Sequence, residues 1–265
     1  MIPYLTVVSV NKNNYEGLTN TLISIKNNVI SDSLHHIIID GNSYDLVVSF
    51  DDLKNKFHFD YISENDSGIY SAMNKGVLLS SSERLLFLNS GDSIIDKFNF
   101  SLFSNSDTNF DLVYSNVLKV NTDGLINVLK FPDVLSLDYM ICYGLPHQAT
   151  IIKKSLFDKI GPYNENYKII SDWVFFMEAL FFHNATYKYV NVTAINFDGS
   201  GISNQTKYLR TIIIEQLDYI SNRFPFKVDL YKSNSPYVKK YFRTMPRWKR
   251  FILKYLFLKF NILIK

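Results

Sequence analysis

Cysteine is almost absent from this chain. The single cysteine, Cys142, cannot form a disulfide within the chain, which fits a protein of a reducing compartment.

Glycine-rich phosphate loops are absent as well: no Gly-x-Gly-x-x-Gly follows the first predicted strand, and no Gly-x-x-x-x-Gly-Lys-Ser/Thr occurs anywhere. The usual dinucleotide-binding and NTPase interpretations therefore lose most of their support. The first residues also lack the basic start and cleavage site of a secretory signal, and a first strand explains them better.

Acidic residues are absent from residues 236–265, which contain nine Lys and Arg. The rest of the chain holds 19 Lys and Arg against 25 Asp and Glu, so a mildly acidic body precedes a basic tail. The cations of the tail alternate with large apolar residues such as Trp248, Phe251 and Tyr255. A helix with this pattern is typical of a membrane interface, but Lys254 and Lys259 interrupt the run of about 20 apolar residues that a crossing needs.

Three partners remain open for this basic tail. We favour an anionic membrane surface, because the pattern combines an apolar face with a basic edge. Nucleic acid is also anionic, but no recognised nucleic-acid motif accompanies the tail, so we expect no nucleic-acid partner. The third interpretation is a helix packed on the core with its basic edge in solvent.

Hydrophobic residues make up 47% of the 265 residues and aromatic residues 15%, which is ample for a sizeable core. In the first third of the chain, short β-branched runs alternate with stretches of helical periodicity. We predict strands at residues 4–10, 35–39, 59–62 and 84–88, and helices from Tyr15, at 46–53 and at 69–79. This order implies an α/β fold with a Rossmann-like, mostly parallel sheet and crossover helices.

After residue 92 the pattern changes. Residues 111–121 and 125–131 predict a hairpin around the turn at 121–124. We also predict a strand and a short helix after Pro146, a helix at 171–182, a strand at 187–197, a flexible loop at 198–203 and a helix at 207–224. The chain therefore divides into an α/β domain at residues 1–205 and a C-terminal helical extension with the basic tail at residues 206–265.

Two polar turns, each with an acid and a glycine, are the most informative stretches. Residues 63–76 read Ser-Glu-Asn-Asp-Ser-Gly-Ile-Tyr-Ser-Ala-Met-Asn-Lys-Gly, and residues 87–92 read Phe-Leu-Asn-Ser-Gly-Asp. In an open α/β sheet this arrangement places polar groups along one rim, where ligands bind. Both segments resemble the donor-binding segment of family-two glycosyltransferases of the GT-A fold, especially those that build bacterial surface polysaccharides. The resemblance extends over about residues 5–203 and leaves out the tail.

This resemblance implies an enzyme that transfers a sugar from a nucleotide-sugar donor, and a UDP-sugar is the donor we favour. The implied acceptor is a saccharide on a polyprenyl diphosphate carrier, and the implied transfer is inverting. The resemblance also implies a role in surface-polysaccharide or O-antigen biosynthesis. It implies an enzyme bound peripherally to the cytoplasmic face of the bacterial plasma membrane. A tail that binds anionic lipid agrees with that location.

Several residues are candidates for donor binding. Asp40, after the second strand, and Asp66 can accept hydrogen bonds from a base or a ribose. Gly68 precedes a helix whose start offers free N–H groups and partial positive charge, and Lys75 adds a full charge for a diphosphate, with Asn74 beside it. On the residues alone, a turn at Asp40 and a helix cap at Asp66 explain the pattern about as well. The resemblance favours the donor site.

The turn at residues 89–92 is the candidate metal site. As a bare sequence it is a good turn, but the resembled family usually has an Asp-x-Asp-type motif here. Asp92 is therefore implied to coordinate Mg²⁺ or Mn²⁺, which neutralises the charge of a leaving diphosphate. Asn89 occupies the first acidic position of that motif, and Asn89, Ser90 and Gly91 are assigned to donor binding. A single carboxylate predicts weak metal affinity until donor phosphates join it.

Asp172 is the candidate general base, because an acceptor hydroxyl must lose a proton as it attacks and a carboxylate in a cleft can take it. The resembled family has an acid at this point, whereas the residue alone is better explained as a helix cap. His147 lies in a segment similar to the acceptor-side His-Gln motif of the family. It is expected to bind the acceptor or the diphosphate, although a lone histidine is normally structural.

Two other functions remain open. A sugar nucleotidyltransferase would normally have a glycine-rich loop after the first strand, and residues 11–14 contain no glycine. A non-catalytic binding partner in a membrane assembly would keep the fold without the chemistry, and Asn89 leaves that alternative open.

Overall fold

The computed structural model describes residues 4–28, 34–95, 109–120, 126–199, 201–244 and 246. Its first half is built from four parallel strands in the order β3-β2-β1-β4. The strands and the helices between them are β1 (Leu5–Asn11), α1 (Tyr15–Asn28), β2 (Leu34–Asp40), α2 (Phe50–Phe57), β3 (Asp60–Ser63), α3 (Ile69–Leu79) and β4 (Arg84–Phe87). The alternation predicted from the sequence is confirmed in every element of this half.

One helix starts later than predicted. The prediction was a helix at residues 46–53, but α2 begins at Phe50. The reason is Ser49, which has an extended backbone and accepts a hydrogen bond from the backbone N–H of Asp52 at 3.1 Å. A serine cap of this kind fixes the first turn of a helix. The apolar run before it lies outside the helix, and Val47 is 77% exposed.

The second half of the sheet is mixed. It continues from β4 in the order β8-β6-β9-β5, and β7 pairs with β6. Its elements are β5 (Ser93–Ile94), β6 (Leu112–Val120), β7 (Ile126–Leu129), α4 (Leu137–Cys142), β8 (Thr150–Lys153), α5 (Ser155–Ile160), α6 (Ser171–Phe181) and β9 (Tyr187–Asp198). The antiparallel pairing of β6 with β7 confirms the predicted hairpin, whose turn lies outside the described residues. Strand β9 lies between β6 and β5, parallel to β6 and antiparallel to β5.

Three C-terminal helices pack against the α/β body. These are α7 (Leu209–Arg223), α8 (Val228–Asn234) and α9 (Pro236–Arg243). Ile212, Ile220 and Tyr231 belong to the same hydrophobic cluster as Trp173 of α6, so the extension shares the core of the body. The division into residues 1–205 and 206–265 stays a prediction.

The basic tail is described only in part. Residues 236–244 and 246 are described, and the aromatic and basic residues from 247 to 265 lie outside the described part of the chain. Within α9, Val238 and Phe242 are buried. No helix in the described part of the chain combines the length and the apolar character needed to span a membrane.

Candidate functional site

The carboxyl ends of three parallel strands meet at one rim of the sheet. Asn11 ends β1 and lies beside Asp40, which ends β2, and Asp40 in turn lies beside Ser63 of β3. The Asn11 amide donates from Nδ2 to Asp40 Oδ1 at 2.7 Å and accepts at Oδ1 from Ser90 Oγ at 2.7 Å. Asn11 therefore ties the second strand to the turn after β4. Sequence reasoning did not select it, because it lay in a polar run that looked like a simple strand terminator.

Asp40 is completely buried at this rim. Its carboxylate accepts hydrogen bonds from Asn11 Nδ2, Ser43 N, Ser43 Oγ and Ser63 Oγ, over 2.6 to 2.9 Å. Burial raises the pKa of Asp40, but these hydrogen bonds, those from Ser43 above all, outweigh it and hold the pKa below its usual value. Asp40 thus organises the loop after β2, and its contact with a donor stays a prediction.

The start of α3 leaves an open backbone site. Gly68 has φ +143°, a conformation that favours glycine, and no atom of the described residues lies within 4 Å of the position that a Cβ would occupy. No side chain caps the helix at this residue. Asp66 accepts at Oδ1 from the N–H of Gly68 at 3.1 Å, and further along α3 Lys75 pairs with Glu64 at 2.5 Å. Asp66, Gly68 and Lys75 therefore belong to one partly exposed surface.

Asn74 faces away from this surface. Its Nδ2 donates to the carbonyl of Tyr163 at 2.9 Å and to Glu165 Oε1 at 3.1 Å, and its Oδ1 accepts from the N–H of Tyr163 at 2.9 Å. The structure therefore does not bring Asn74 together with the other predicted donor residues. Its amide holds the loop after α5 against α3.

The turn after β4 places two carboxylates next to each other. Asp92 is 4% exposed and accepts at Oδ1 from the backbone N–H of Asp198 at 3.0 Å. Gly91 has φ +105°, and a Cβ there would lie 2.7 Å from Asp198 Oδ2. Burial raises the pKa of Asp92 to about 7, and the charge of Asp198 contributes in the same direction. Asp198 ends β9 and was predicted only as part of a loop.

These two carboxylates fit a divalent cation. Hard cations such as Mg²⁺ and Mn²⁺ prefer oxygen ligands, and a cation would stabilise the ionised form that burial disfavours in Asp92. Within the described ranges, no group of three or more His, Cys, Asp or Glu side chains could hold a metal. The pair of Asp92 and Asp198 would therefore need oxygen ligands from a bound molecule to complete a coordination shell.

Asp172, on the first turn of α6, lies at the centre of a chain of side chains. His147 Nδ1 lies 2.7 Å from Asp172 Oδ2, and His147 Nε2 lies 3.3 Å from Asn89 Nδ2. The hydroxyl of Tyr70 lies 2.8 Å from Asp172 Oδ1 and 2.6 Å from the carbonyl of Ile169. Asn89, His147, Asp172 and Tyr70 therefore form one continuous path from the turn after β4 to the start of α6.

The electrostatics of this path keep Asp172 ionised. Burial raises the pKa of Asp172, but the hydrogen bond and charge of His147, together with the hydroxyl of Tyr70, hold the pKa below its usual value. The side chains of His147 and Asp172 remain 12% and 18% exposed, so a ligand can reach both. Tyr70 was missed by sequence reasoning, although it lies inside the first polar motif.

A cavity of about 420 Å³ opens beside His147 and Asp172. Aromatic side chains line much of it, among them Tyr139, Tyr143 and Trp173. Two lysines, Lys119 and Lys130, lie on its wall. Its size falls in the range of small-ligand sites, and aromatic walls suit the faces of sugars.

Comparisons with known proteins give a consistent set of relatives. A PGL/p-HBAD biosynthesis glycosyltransferase of Mycobacterium bovis is 30% identical over 146 residues, which are 53% of this chain. The match covers 55% of that relative, so the chain spans about half the length of these relatives. An uncharacterised glycosyltransferase of Mycobacterium tuberculosis is 30% identical over 190 residues, 67% of this chain and 69% of the relative. No protein-family model matches the chain.

Solved structures of S. aureus TarS share the fold. The complex of TarS residues 1–349 with UDP-GlcNAc has a TM-score of 0.62 at 16% sequence identity, covering 95% of this chain and 76% of TarS 1–349. The complex with UDP has a TM-score of 0.60 at the same identity, covering 95% and 75%.

Proposed function

The chain belongs to the glycosyltransferases and has the GT-A fold, and from this premise we propose that it transfers a sugar from a nucleotide-diphosphate donor to a saccharide acceptor. The observation that carries the proposal is the path from Asn89 through His147 to Asp172, because it links the predicted donor rim to the mouth of the cavity. TarS has been solved with UDP and with UDP-GlcNAc, and this supports a UDP-sugar as the donor of this chain.

The donor occupies the rim at the carboxyl ends of β1, β2 and β4. The open helix start at Gly68 and the charge of Lys75 receive the diphosphate, since helix N-termini and lysine both favour anions. Asp66 uses Oδ1 for the N–H of Gly68, and its Oδ2 accepts from the base or the ribose, while Asp40 organises the neighbouring loop after β2. Ser90 and Gly91 form the base of the donor site. Ser90 is held there by its hydrogen bond to Asn11 and Gly91 by its hydrogen bond to Thr21.

A divalent cation, Mg²⁺ or Mn²⁺, belongs to this proposal. Asp92 and Asp198 would hold it, together with phosphate oxygens of the donor. When bound, it supplies Lewis-acid neutralisation of the charge on the departing diphosphate. Because the described residues offer only two carboxylates there, the affinity for the metal alone should be weak.

The acceptor approaches from the cavity. Its hydroxyl oxygen attacks the anomeric carbon while the bond from that carbon to the diphosphate oxygen breaks, and the electron pair leaves with the diphosphate. Asp172 takes the hydroxyl proton, a contribution of about 10²–10⁴-fold in rate. His147 and Tyr70 hold its carboxylate in place. A single displacement of this kind inverts the anomeric configuration.

The remaining parts of the proposal concern the biological setting. We assign the chain to family two and to the synthesis of bacterial surface polysaccharide, with an acceptor on polyprenyl diphosphate. The enzyme would lie peripherally on the cytoplasmic side of the membrane, held by the basic residues of the tail. Support comes from the two motifs at 63–76 and 87–92 and from the charge of residues 236–265.

A thermal-shift panel tests the donor site. Purified protein is mixed with UDP, GDP, dTDP or CMP, each with and without Mn²⁺, and stabilisation by one diphosphate that grows with metal is expected. Asp172→Asn should keep this stabilisation and lose transfer of the sugar, whereas Asp158→Asn, at an exposed position on α5, should keep both. A folded sample that responds to no nucleotide would refute the transferase proposal and favour a binding partner.

A further inference from the structure

Two lysines converge on one asparagine at the wall of the cavity. Lys119 comes from β6 and donates from Nζ to Asn204 Oδ1 at 2.7 Å. Lys240 comes from α9 and donates from Nζ to the backbone carbonyl of Asn204 at 2.9 Å. Lys119 and Asn204 both line the cavity that also contains His147 and Asp172. Three distant parts of the chain thus meet at Asn204, with Lys119 on the cavity wall and the exposed Lys240 reaching that wall through the Asn204 carbonyl.

Among the described residues, no acid pairs with either lysine of this cationic pair. The two positive charges instead repel each other. Partial burial lowers the pKa of Lys119, and the charge of Lys240 contributes in the same direction. Lys240 is exposed, so the cost of two neighbouring like charges falls mainly on the half-buried Lys119. An anion bound beside them would remove that cost.

Asn204 adds a donor to the same place. Its Oδ1 and its carbonyl are used by the two lysines, while its Nδ2 is buried and has no hydrogen-bond partner among the described residues. Buried polar groups are almost always hydrogen-bonded, so an unpaired N–H group beside two ammonium groups points to an acceptor atom that a ligand supplies. All three groups donate, which is the set that phosphate oxygens require.

Aromatic rings complete the cavity. Tyr139 and Tyr143 stack with their ring centroids 5.2 Å apart, and Phe197 lies under Lys119 with its ring centroid 5.9 Å from Nζ. Rings of this kind pack on sugar faces, while the lysines bind charge. The cavity therefore suits a ligand with a saccharide part and an anionic part.

We propose that the cavity is the acceptor site and that Lys119, Lys240 and Asn204 bind a phosphate group of the acceptor, with the attacking hydroxyl at Asp172. This inference rests on the proposed function, because it names the class of acceptor for the same reaction centre. The phosphate has two possible sources: the diphosphate of a lipid carrier, or a phosphate within a soluble saccharide. Both present the same oxygens to the two lysines.

Titration calorimetry on the full chain tests the site without turnover. The donor site is first filled with UDP and Mn²⁺, and the protein is then titrated with farnesyl diphosphate, with glucose 1-phosphate or with the neutral methyl glucoside. At least one phosphate-bearing probe should bind well above the neutral one. Tighter binding of farnesyl diphosphate indicates a lipid carrier, and tighter binding of glucose 1-phosphate indicates a phosphorylated saccharide.

Three variants make the test specific. Lys119→Met and Lys240→Met should each weaken binding of the phosphate-bearing probe about 10- to 100-fold, the range expected for loss of a hydrogen bond to a charged group. Lys159→Met, at an exposed position on α5, should bind it like the wild type. UDP should bind all of them equally. Phosphate binding that survives both substitutions, or an absence of phosphate binding in protein that binds UDP, overturns this inference alone, whereas failure to bind UDP overturns the proposed function.

Discussion

Replacing Asn74 with aspartate should destabilise the protein and leave the donor site intact. The substitution is nearly isosteric, and Oδ1 can still accept from the N–H of Tyr163. It removes the donor to the carbonyl of Tyr163, and a buried carbonyl without a partner costs about 1–3 kcal/mol. It also places a negative charge near Glu165 Oε1, 3.1 Å from the present Nδ2. At that separation in water the repulsion is about 1.3 kcal/mol, which sums to about 2–4 kcal/mol in the free energy of unfolding.

Thermal unfolding gives the readout. At about 2–4 °C per kcal/mol for a chain of this size, Asn74→Asp should lower Tm by about 4–16 °C. The KM for the nucleotide sugar should stay close to the wild-type value at a temperature where the variant is folded. Lys75→Met is the matched control on the next residue, because its ion pair with Glu64 is partly exposed and worth at most about 1 kcal/mol.

Lys75→Met should therefore give the opposite result, a raised KM for the donor with little change in Tm. The reasoning is refuted if Asn74→Asp melts like the wild type and raises the donor KM. In that case Asn74 would contact the nucleotide, as the sequence motif alone suggested.

Three further predictions each concern the substitution of one residue. Gly76→Ala should destabilise the protein by about 1–3 kcal/mol in urea unfolding, because the added Cβ would lie 2.2 Å from Val8 Cγ1, and a variant as stable as the wild type would contradict this packing. Burial lowers the pKa of His36 to about 3. Below about pH 6.5 the His36 imidazole is therefore protonated in the unfolded chain but stays neutral in the folded chain. Stability should thus fall as the pH drops from 6.5 towards 3, and His36→Gln should flatten that dependence in urea titrations. Tyr70→Phe removes a donor to Asp172 and should raise its pKa, which moves the acidic limb of the kcat/KM profile to higher pH; an unmoved limb would exclude Asp172 as the base.

Local patterns were sufficient for most of the fold. Helix α3 was predicted with the bounds it has, because Gly68 and Ser80 flank a run of strong helical periodicity. The predicted start of α2 was wrong. The apolar residues before Ser49 looked like the first turn of a helix, although Val47 is 77% exposed. Helical spacing shows which residues could share a face, but the capping serine decides where the helix begins.

The site was predictable only where its residues lie close in sequence. The turn at residues 89–92 was selected from the sequence, yet its neighbour Asp198 lies 106 positions after Asp92. Tyr70 and Asp172 are 102 positions apart and meet through their side chains. Such pairs depend on the order of the strands and on how α3 packs against α6. A single sequence contains no local signal for either.

Strand β9 borders both the cavity and the turn that contains Asp92. Phe197 lies against the cavity, and the next residue, Asp198, lies against the turn that contains Asp92. Successive residues of a strand point to opposite faces, so a displacement of β9 moves both walls at once. If donor and acceptor each change the position of β9, their binding is coupled, and each then changes the affinity of the other by the same factor. In an enzyme with such a shared wall, a substitution that displaces β9 should change the affinity for both substrates.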